Sequence, residues 1–326
     1  MATRLLSQSD HTIMAAVVAG AAVGLTMMAV VGHNHRKLFQ QIGTVANLYI
    51  YPVKSCGAME VSEANCTPVG LESNGVNDRH WMILDPSDHV ITMKEEPRLT
   101  LVKCRSVDGR LLLEAPGMDH LQLPQRPDLR TRQRQHKILL GQAVTMVCCG
   151  GEAEKWISEF LGRSARMVFS CRDLGPRDVH GRPRRWPNTA RQGDITIFAY
   201  LTSYLVTNTA SLQSINGQMT TPASMISFRP NIAVRHTEAF DEDNWLELRI
   251  GENVLFHAVE PCRRCPITTI DPNTAEVNLE RQPLELLKSF RCRPPYGTAP
   301  IFGLYVSLDL PGRVKVGDPV YVMRKK

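Results

Sequence analysis

Pro261-Cys-Arg-Arg-Cys-Pro-Ile-Thr-Thr-Ile-Asp-Pro272 is the stretch on which the reading of this chain turns. Cys262 and Cys265 stand in a CxxC spacing just after a run of strand composition, with two arginines between them. Three chemistries compete for that spacing. A structural zinc site needs four ligands, and the sequence holds no second CxxC or HxxxH partner. A dithiol redox pair of thioredoxin type opens a helix in a βαβ unit, whereas Pro266 and the β-branched run after it point to a loop and a strand. The third is a single soft thiolate bound to a soft metal and kept deprotonated by the arginines. Spacing alone leaves all three open.

Outward from this motif, short strand-like runs alternate with turns. Residues 245–250 and 253–259 make a hairpin pattern across Gly251, and 301–308 and 314–323, with PVYVM after a GDP turn, follow it. In the N-terminal half, residues 45–53 (VANLYIYPV) have strand composition, and Pro52 ends the ladder. Further strands are expected at 79–84, 99–107 and 111–114, and the Arg-rich stretch 125–137 reads as a surface loop. The clearest helix is 152–161, where Ala153, Trp156, Ile157, Phe160 and Leu161 recur at helical spacing before a Gly162 stop. Shorter helices are expected at 209–215 and at 283–290, the second with proline in its first turn. Residues 171–194 lack periodicity and carry Pro176, Pro183 and Pro187, as a domain linker or an active-site loop does. Many short strands and few helices argue an α+β fold of β-barrel type, divided into a β-rich domain at 42–170 and a second at 171–326.

The 326 residues, 43% hydrophobic and 21% charged, are enough for two domains or one large one. A formal net charge of +6 suits an anionic cofactor, an acidic protein partner or an anionic surface, and does not choose among them. With 6% aromatic residues and no basic stripe interleaved with them, the pattern does not point to nucleic acid. Nine irregularly spaced cysteines read as reduced thiols rather than a disulfide framework. Residues 12–32 are 21 residues without a charge. At about 1.5 Å per residue they span roughly 30 Å, the thickness of a bilayer core. They are too long for a secretory h-region and not Arg-rich like a transit peptide, so residues 1–37 are expected to be a retained membrane anchor. Arg36 and Lys37 after the span outweigh Arg4 before it, which keeps the large domain cytosolic.

Other motifs carry charge into apolar surroundings. Tyr51-Pro-Val-Lys-Ser-Cys-Gly57 runs from a strand into a turn where a lysine, a serine and backbone N–H groups can cradle a phosphate, although the leading glycines of a Walker A loop are missing. Asn77-Asp-Arg-His-Trp81 and Phe228-Arg-Pro-Asn231 each set an arginine beside an apolar run, and a buried arginine needs an anionic partner. Asp78 offers such a partner locally for one arginine, less readily for both. His80 and Asp271 are the candidate proton donors.

YPVKSC, DRHW, FRPN, the PCRRCPITTIDP run, PIFGLY and VKVGDPV together resemble the MOSC superfamily, named for the C-terminal domain of molybdenum-cofactor sulfurases. With the anchor added, the chain resembles the mitochondrial amidoxime-reducing component family over nearly its whole length after residue 10. The resemblance implies a β-barrel-rich MOSC domain with an N-terminal β-barrel-like MOSC subdomain, preceded by one transmembrane helix. It implies a Mo-molybdopterin cofactor whose metal ligand and catalytic residue is Cys265, with Cys262 beside the cofactor. Lys54, Ser55, Arg79, Arg229 and Asn231 match residues that hold the pterin phosphate and ring, and Tyr305 matches a cofactor-side tyrosine. Thr202 and Ser203, in Tyr200-Leu-Thr-Ser203, stand where a hydroxyl-bearing turn is expected, whereas Arg263 replaces a small residue of the pattern. The implied reaction removes an N-bound oxygen reductively from amidoximes, hydroxamic acids, N-hydroxylated bases or nitrite, with Arg264 stabilising charge near the thiolate. The chain has no GxGxxG after a strand, no CxxCH and no iron–sulfur cysteine spacing, so electrons come from elsewhere. The resemblance implies cytochrome b5 and NADH–cytochrome b5 reductase as donors, at the mitochondrial outer membrane with the catalytic domain facing the cytosol. The superfamily also allows an alternative: a non-enzymatic cofactor carrier or sulfur-handling protein, with Cys262 and Cys265 as persulfide carriers.

Overall fold

Seven β-rich segments scattered along the chain close into one barrel. They are β1 (Gln40–Ile50), β2 (Tyr204–Asn208), β3 (Ile232–Arg235), β4 (Trp245–Ile250), β5 (Val254–Arg263), β6 (Ile301–Leu310) and β7 (Pro319–Arg324). This is a computed structural model, and it describes residues 39–130, 134–180 and 188–325. The hydrogen-bonded order is β3-β2-β6-β5-β4-β7-β1, and β3 pairs antiparallel back onto β1. Closure leaves no free edge around the ring. Inward residues fill it: Leu48, Ile50, Tyr204, Val206, Ile232, Trp245, Phe256, Val306 and Val322 are all buried. Residues 41–326 form one compact unit.

The described helices are α1 (Gly151–Leu161), α2 (Thr209–Asn216) and α3 (Leu284–Arg291). β2 and β3 are parallel, so the chain between them must cross over; α2 and a 3-10 turn at Met225–Phe228 make that crossing. Asn208 starts α2, its side chain accepting from the Ala210 N–H at 2.9 Å. α1 buries the five apolar residues of the expected helix.

Of the remaining strands, Met59–Val61 pairs antiparallel with Leu48–Ile50 of β1, and the others build smaller sheets. Trp81–Leu84 edges a four-stranded sheet with Arg134–Leu139, Gln142–Cys148 and Arg166–Phe169. Gly312–Lys315 pairs with Glu63–Thr67 at the edge of a meander that runs on through Gly70–Ser73 to Val76–Asn77, while β1 pairs into the barrel, so each half of the chain lends a strand to the other.

Some expectations shift. Residues 99–107 are not one strand: Pro97 begins a 3-10 turn, Pro97–Leu101, and the strand starts at Lys103. A strand at Arg134–Leu139 begins inside the expected surface loop. The strand placed at 79–84 starts at Trp81, because Arg79 has a φ of 52° and turns the chain. The expected anchor at 12–32 lies outside the described residues, among which no helix is long and apolar enough to cross a membrane.

Candidate active site

Tyr51 leaves the β1 ladder by donating its N–H to Asp78 Oδ1 at 2.8 Å. The chain then runs beside residues 79–81: Lys54 N donates to Trp81 O at 2.8 Å, and Arg79 N to Tyr51 O at 2.7 Å. Ser55 and Arg79 take left-handed backbone, with φ of 74° and 52°. Arg229 does so at 55°, where the 3-10 turn ends and Pro230 disfavours continuing the helix. Such backbone costs roughly 1–3 kcal/mol at a non-glycine residue and is kept where surroundings enforce it. Here it aims two guanidinium groups at one ring: the Cζ atoms of Arg79 and Arg229 lie 4.8 and 4.2 Å from the Tyr51 centroid.

The two arginines differ in what they are bonded to. Arg79 is ion-paired with Asp78 and also donates to Arg229 O at 3.2 Å and Asn231 Oδ1 at 3.3 Å. Arg229 has a buried Nη2 with no hydrogen-bond partner among the described residues. Lys54 Nζ donates to Phe198 O at 2.6 Å. Arg177 is buried and donates Nε to Ile197 O at 2.9 Å and Nη2 to Ala199 O. Burial, and then Arg177, Arg79 and Arg229, push the Lys54 ammonium down to about 7, with Asp78 opposing. Burial likewise lowers Arg229, to about 10. Four cations around one carboxylate are a surplus of buried positive charge, and an anion would relieve it.

Asn231 stands behind this cradle. Its Oδ1 accepts from Arg79 and from Leu205 N at 3.2 Å, and its Nδ2 donates to Tyr49 O at 3.3 Å. Its amide therefore ties β1 to β2 and orients Arg79. Thr202 and Ser203 are buried, and their hydroxyls donate to Tyr204 O and Ile195 O at 2.8 and 2.9 Å.

The two cysteines are unlike. Cys262, at the end of β5, is buried and hydrogen-bonded to Tyr305 on β6, and burial raises its thiol. Cys265 is exposed, at the start of the 3-10 turn Pro266–Thr269. Between them Arg264 points away to the backbone, donating to Phe228 O at 2.7 Å and to Phe302 O at 2.8 and 2.6 Å. The sequence reading set Arg264 near the thiolate charge; its fork joins the cysteine loop to the carbonyl just before Arg229, and its charge favours the thiolate form of Cys262. Tyr305 is close enough to Arg79 to favour its charge, so the thiol loop and the cationic cradle share one neighbourhood. His80 is buried and held neutral, pushed down to about 4 chiefly by burial, and Asp271 accepts from the N–H groups of Asn273 and Thr274 in its own turn. His80 is therefore not placed as a proton donor at neutral pH.

The MOSC N-terminal beta barrel domain matches residues 42–164 and the MOSC domain matches 177–321. Mitochondrial amidoxime reducing component 2 of Homo sapiens is 37% identical over 312 residues, covering 94% of this chain and 91% of that protein. The chain belongs to the mitochondrial amidoxime-reducing component family. Component 1 of Mus musculus, another amidoxime-reducing component, is 36% identical over 318 residues, covering 94% of this chain and 90% of that one. Among solved structures, the YUAD protein of Bacillus subtilis covers 88% of this chain and is itself covered in full, at 10% identity and a TM-score of 0.37, too loose a likeness to argue from. In this member of the amidoxime-reducing component family, Lys54, Ser55 and Arg79 lie in the first matched domain, and Arg229, Asn231, Cys262, Cys265 and Tyr305 in the second. Sequence reasoning missed Tyr51 and Arg177. Tyr51 opens the quoted YPVKSC motif, and Arg177 lies in the stretch flagged as a loop or linker; nothing local announces that either side chain is buried.

Proposed function

We propose that this chain is a molybdenum-cofactor-dependent reductase of N-hydroxylated compounds such as amidoximes, hydroxamic acids and N-hydroxylated bases, and of nitrite. The observation that carries the reading is Arg229, whose buried Nη2 has no hydrogen-bond partner among the described residues, in a cradle already rich in cations. A molybdopterin phosphate is the anion that fits. Lys54, Arg79 and Arg229 would hold its oxygens, Ser55 would offer a hydroxyl, and the Tyr51 ring and Asn231 keep the guanidinium groups aimed. Cys265, exposed and one loop away, is the thiolate for the metal, with Cys262 and Tyr305 beside the cofactor. Thr202 and Ser203 complete the set with two buried hydroxyls. When bound, molybdenum cofactor supplies a two-electron centre able to take an oxygen atom, and the protein binds, orients and tunes it. Electrons would reach it from NADH through cytochrome b5 reductase and cytochrome b5. Residues 12–32 would hold the protein in the mitochondrial outer membrane with the catalytic domain in the cytosol, and the domain division would fall at 170/171. The relatives' names, mitochondrial and amidoxime-reducing, support the compartment and the reaction class.

The contrast between the two cysteines provides the test. Purified protein should carry about one molybdenum per chain, and Cys265→Ser, which trades a soft thiolate for a hard hydroxyl, should cut reduction of an amidoxime at least ~100-fold with the fold intact. Cys262→Ser should cost less than ~10-fold, since its thiol is buried and bonded to Tyr305. A zinc pair or a persulfide relay would make both substitutions equally damaging, and that outcome would overturn the assignment.

A further inference from the structure

His257 is buried in β5 and spends both ring nitrogens on carboxylates: Nδ1 lies 2.8 Å from Asp309 Oδ1, and Nε2 lies 3.0 Å from Asp194 Oδ2. A neutral imidazole has one N–H and can donate to only one of them, so the geometry is satisfied by the imidazolium. Charged and polar groups face the ring from each packed element. Asp309 and Ser307 come from β6, and Glu247 stands opposite His257 on β4. Asp194 and Arg191 come from the segment entering the barrel; the Arg191 Nη1 is 3.3 Å from Asp309 and its Nη2 3.9 Å from Glu247. Ser307 hydrogen-bonds to Asp194. Burial works against the imidazolium, but the hydrogen bonds to Asp194 and Asp309 override it and raise the ring to about 9.

The segment this clasp holds is the one that faces the cradle. Asp194 O accepts from Val179 N at 2.8 Å, the Asp194 carboxylate accepts from Arg191 N at 2.7 Å, and Thr189 N donates to Val259 O at 3.0 Å. Just beyond Asp194, the carbonyls of residues 197, 198 and 199 receive Arg177, Lys54 and Arg177 again, and Ile195 O receives the Ser203 hydroxyl.

We propose that His257 is a positioning residue: clasped as an imidazolium between Asp194 and Asp309, it seats residues 188–203 on the barrel wall and thereby sets the place of Lys54. What the cradle binds rests on the function proposed above; the seating of the segment does not.

Amide hydrogen exchange of the full chain tests it, with rates normalised to the intrinsic rate at each pH. In the wild type, protection of residues 188–203 should be full below about pH 6.5 and fall progressively, by at least about tenfold in all, as pH rises from there through 9, while β1 and β6 keep theirs. His257→Gln, which cannot donate to both carboxylates, should show the loosened segment already at pH 7 and no further change. Protection that ignores pH 9 in the wild type, a loss shared equally with the barrel strands, or a folded His257→Gln protein with full protection at pH 7 would each overturn the clasp. Should the variant not fold, the wild-type pH series decides alone. Exchange reads the segment whatever the cradle holds, so its failure is distinct from a failure to find molybdenum.

Discussion

Lys54 is enclosed by Arg79, Arg177 and Arg229, and burial with those neighbours pushes its ammonium down to about 7. An unfolded lysine titrates near 10.4, so between those two pH values the unfolded chain binds more protons and the cofactor-free protein gains stability as pH rises. Lys54→Met should remove that dependence. It should also stabilise the cofactor-free protein at pH 7 by about 1 kcal/mol, roughly 3 °C in Tm, after screening is allowed for. The same substitution should lower cofactor occupancy, and melts at pH 7 and pH 10 with a metal assay measure both. A fall in Tm at pH 7 would show the charge to be well compensated. At this scale the sequence exposed the types of residue but not their debts. Lys54, Arg79 and Arg229 could be named from their motifs, and so could the weaker case for a local Asp78 pair, which Arg79 makes and Arg229 does not. Asn231 was expected at the pterin, and its amide is bonded to Arg79, Leu205 and Tyr49. Those bonds depend on segments far apart in the chain, which no local pattern encodes.

Among the elements, β6 is held to its neighbours by a glycine. Gly303 has a φ of +78°, and a Cβ there would sit 2.8 Å from Val206 O, 2.9 Å from Thr207 Cγ2 and 3.3 Å from Arg264 Nη2. Backbone cannot give way as a side chain tip can, so Gly303→Ala should cost about 2–4 kcal/mol, roughly 5–10 °C in Tm, with Arg264 displaced from Phe302. A loss under about 1 kcal/mol in denaturant unfolding would mean that β6 has more freedom than its contacts suggest. The elements that were legible are those whose pattern is local: α1 shows its stripe in Ala153, Trp156, Ile157, Phe160 and Leu161, and β4 and β5 show a hairpin about Gly251. The 3-10 turns at Pro97–Leu101 and Met225–Phe228 were not, because three or four residues carry no period. The parallel pairing of β2 with β3 also escaped, since strand direction is fixed by the crossover between them rather than by either strand.

On the scale of the whole molecule, every site residue lies within the compact unit formed by residues 41–326. Removing residues 1–37 should therefore leave a folded protein that keeps its cofactor, checked by its melting curve and by about one molybdenum per chain. Metal loss in that truncation would place part of the site in the removed segment. A β-rich, barrel-type fold was legible in the chain's many short strands, but the exchange of strands between its halves was not, because pairing partners are set by closure of the ring. That closure has a consequence for how the protein is made. Thr44 of β1 meets Arg235 of β3 across 191 residues, and β7, the other ring strand beside β1, comes later still. At about 5–20 residues per second, a ribosome needs on the order of 10–40 s to synthesise the stretch that separates the first pair. Throughout that interval β1 has only the short strand Met59–Val61 beside Leu48–Ile50, and the rest of its edges are the kind of surface that chaperones cover and that aggregates when they do not. A premature stop codon anywhere before residue 319 would leave that vulnerability permanent, because the nascent chain would never receive the strand that seals it.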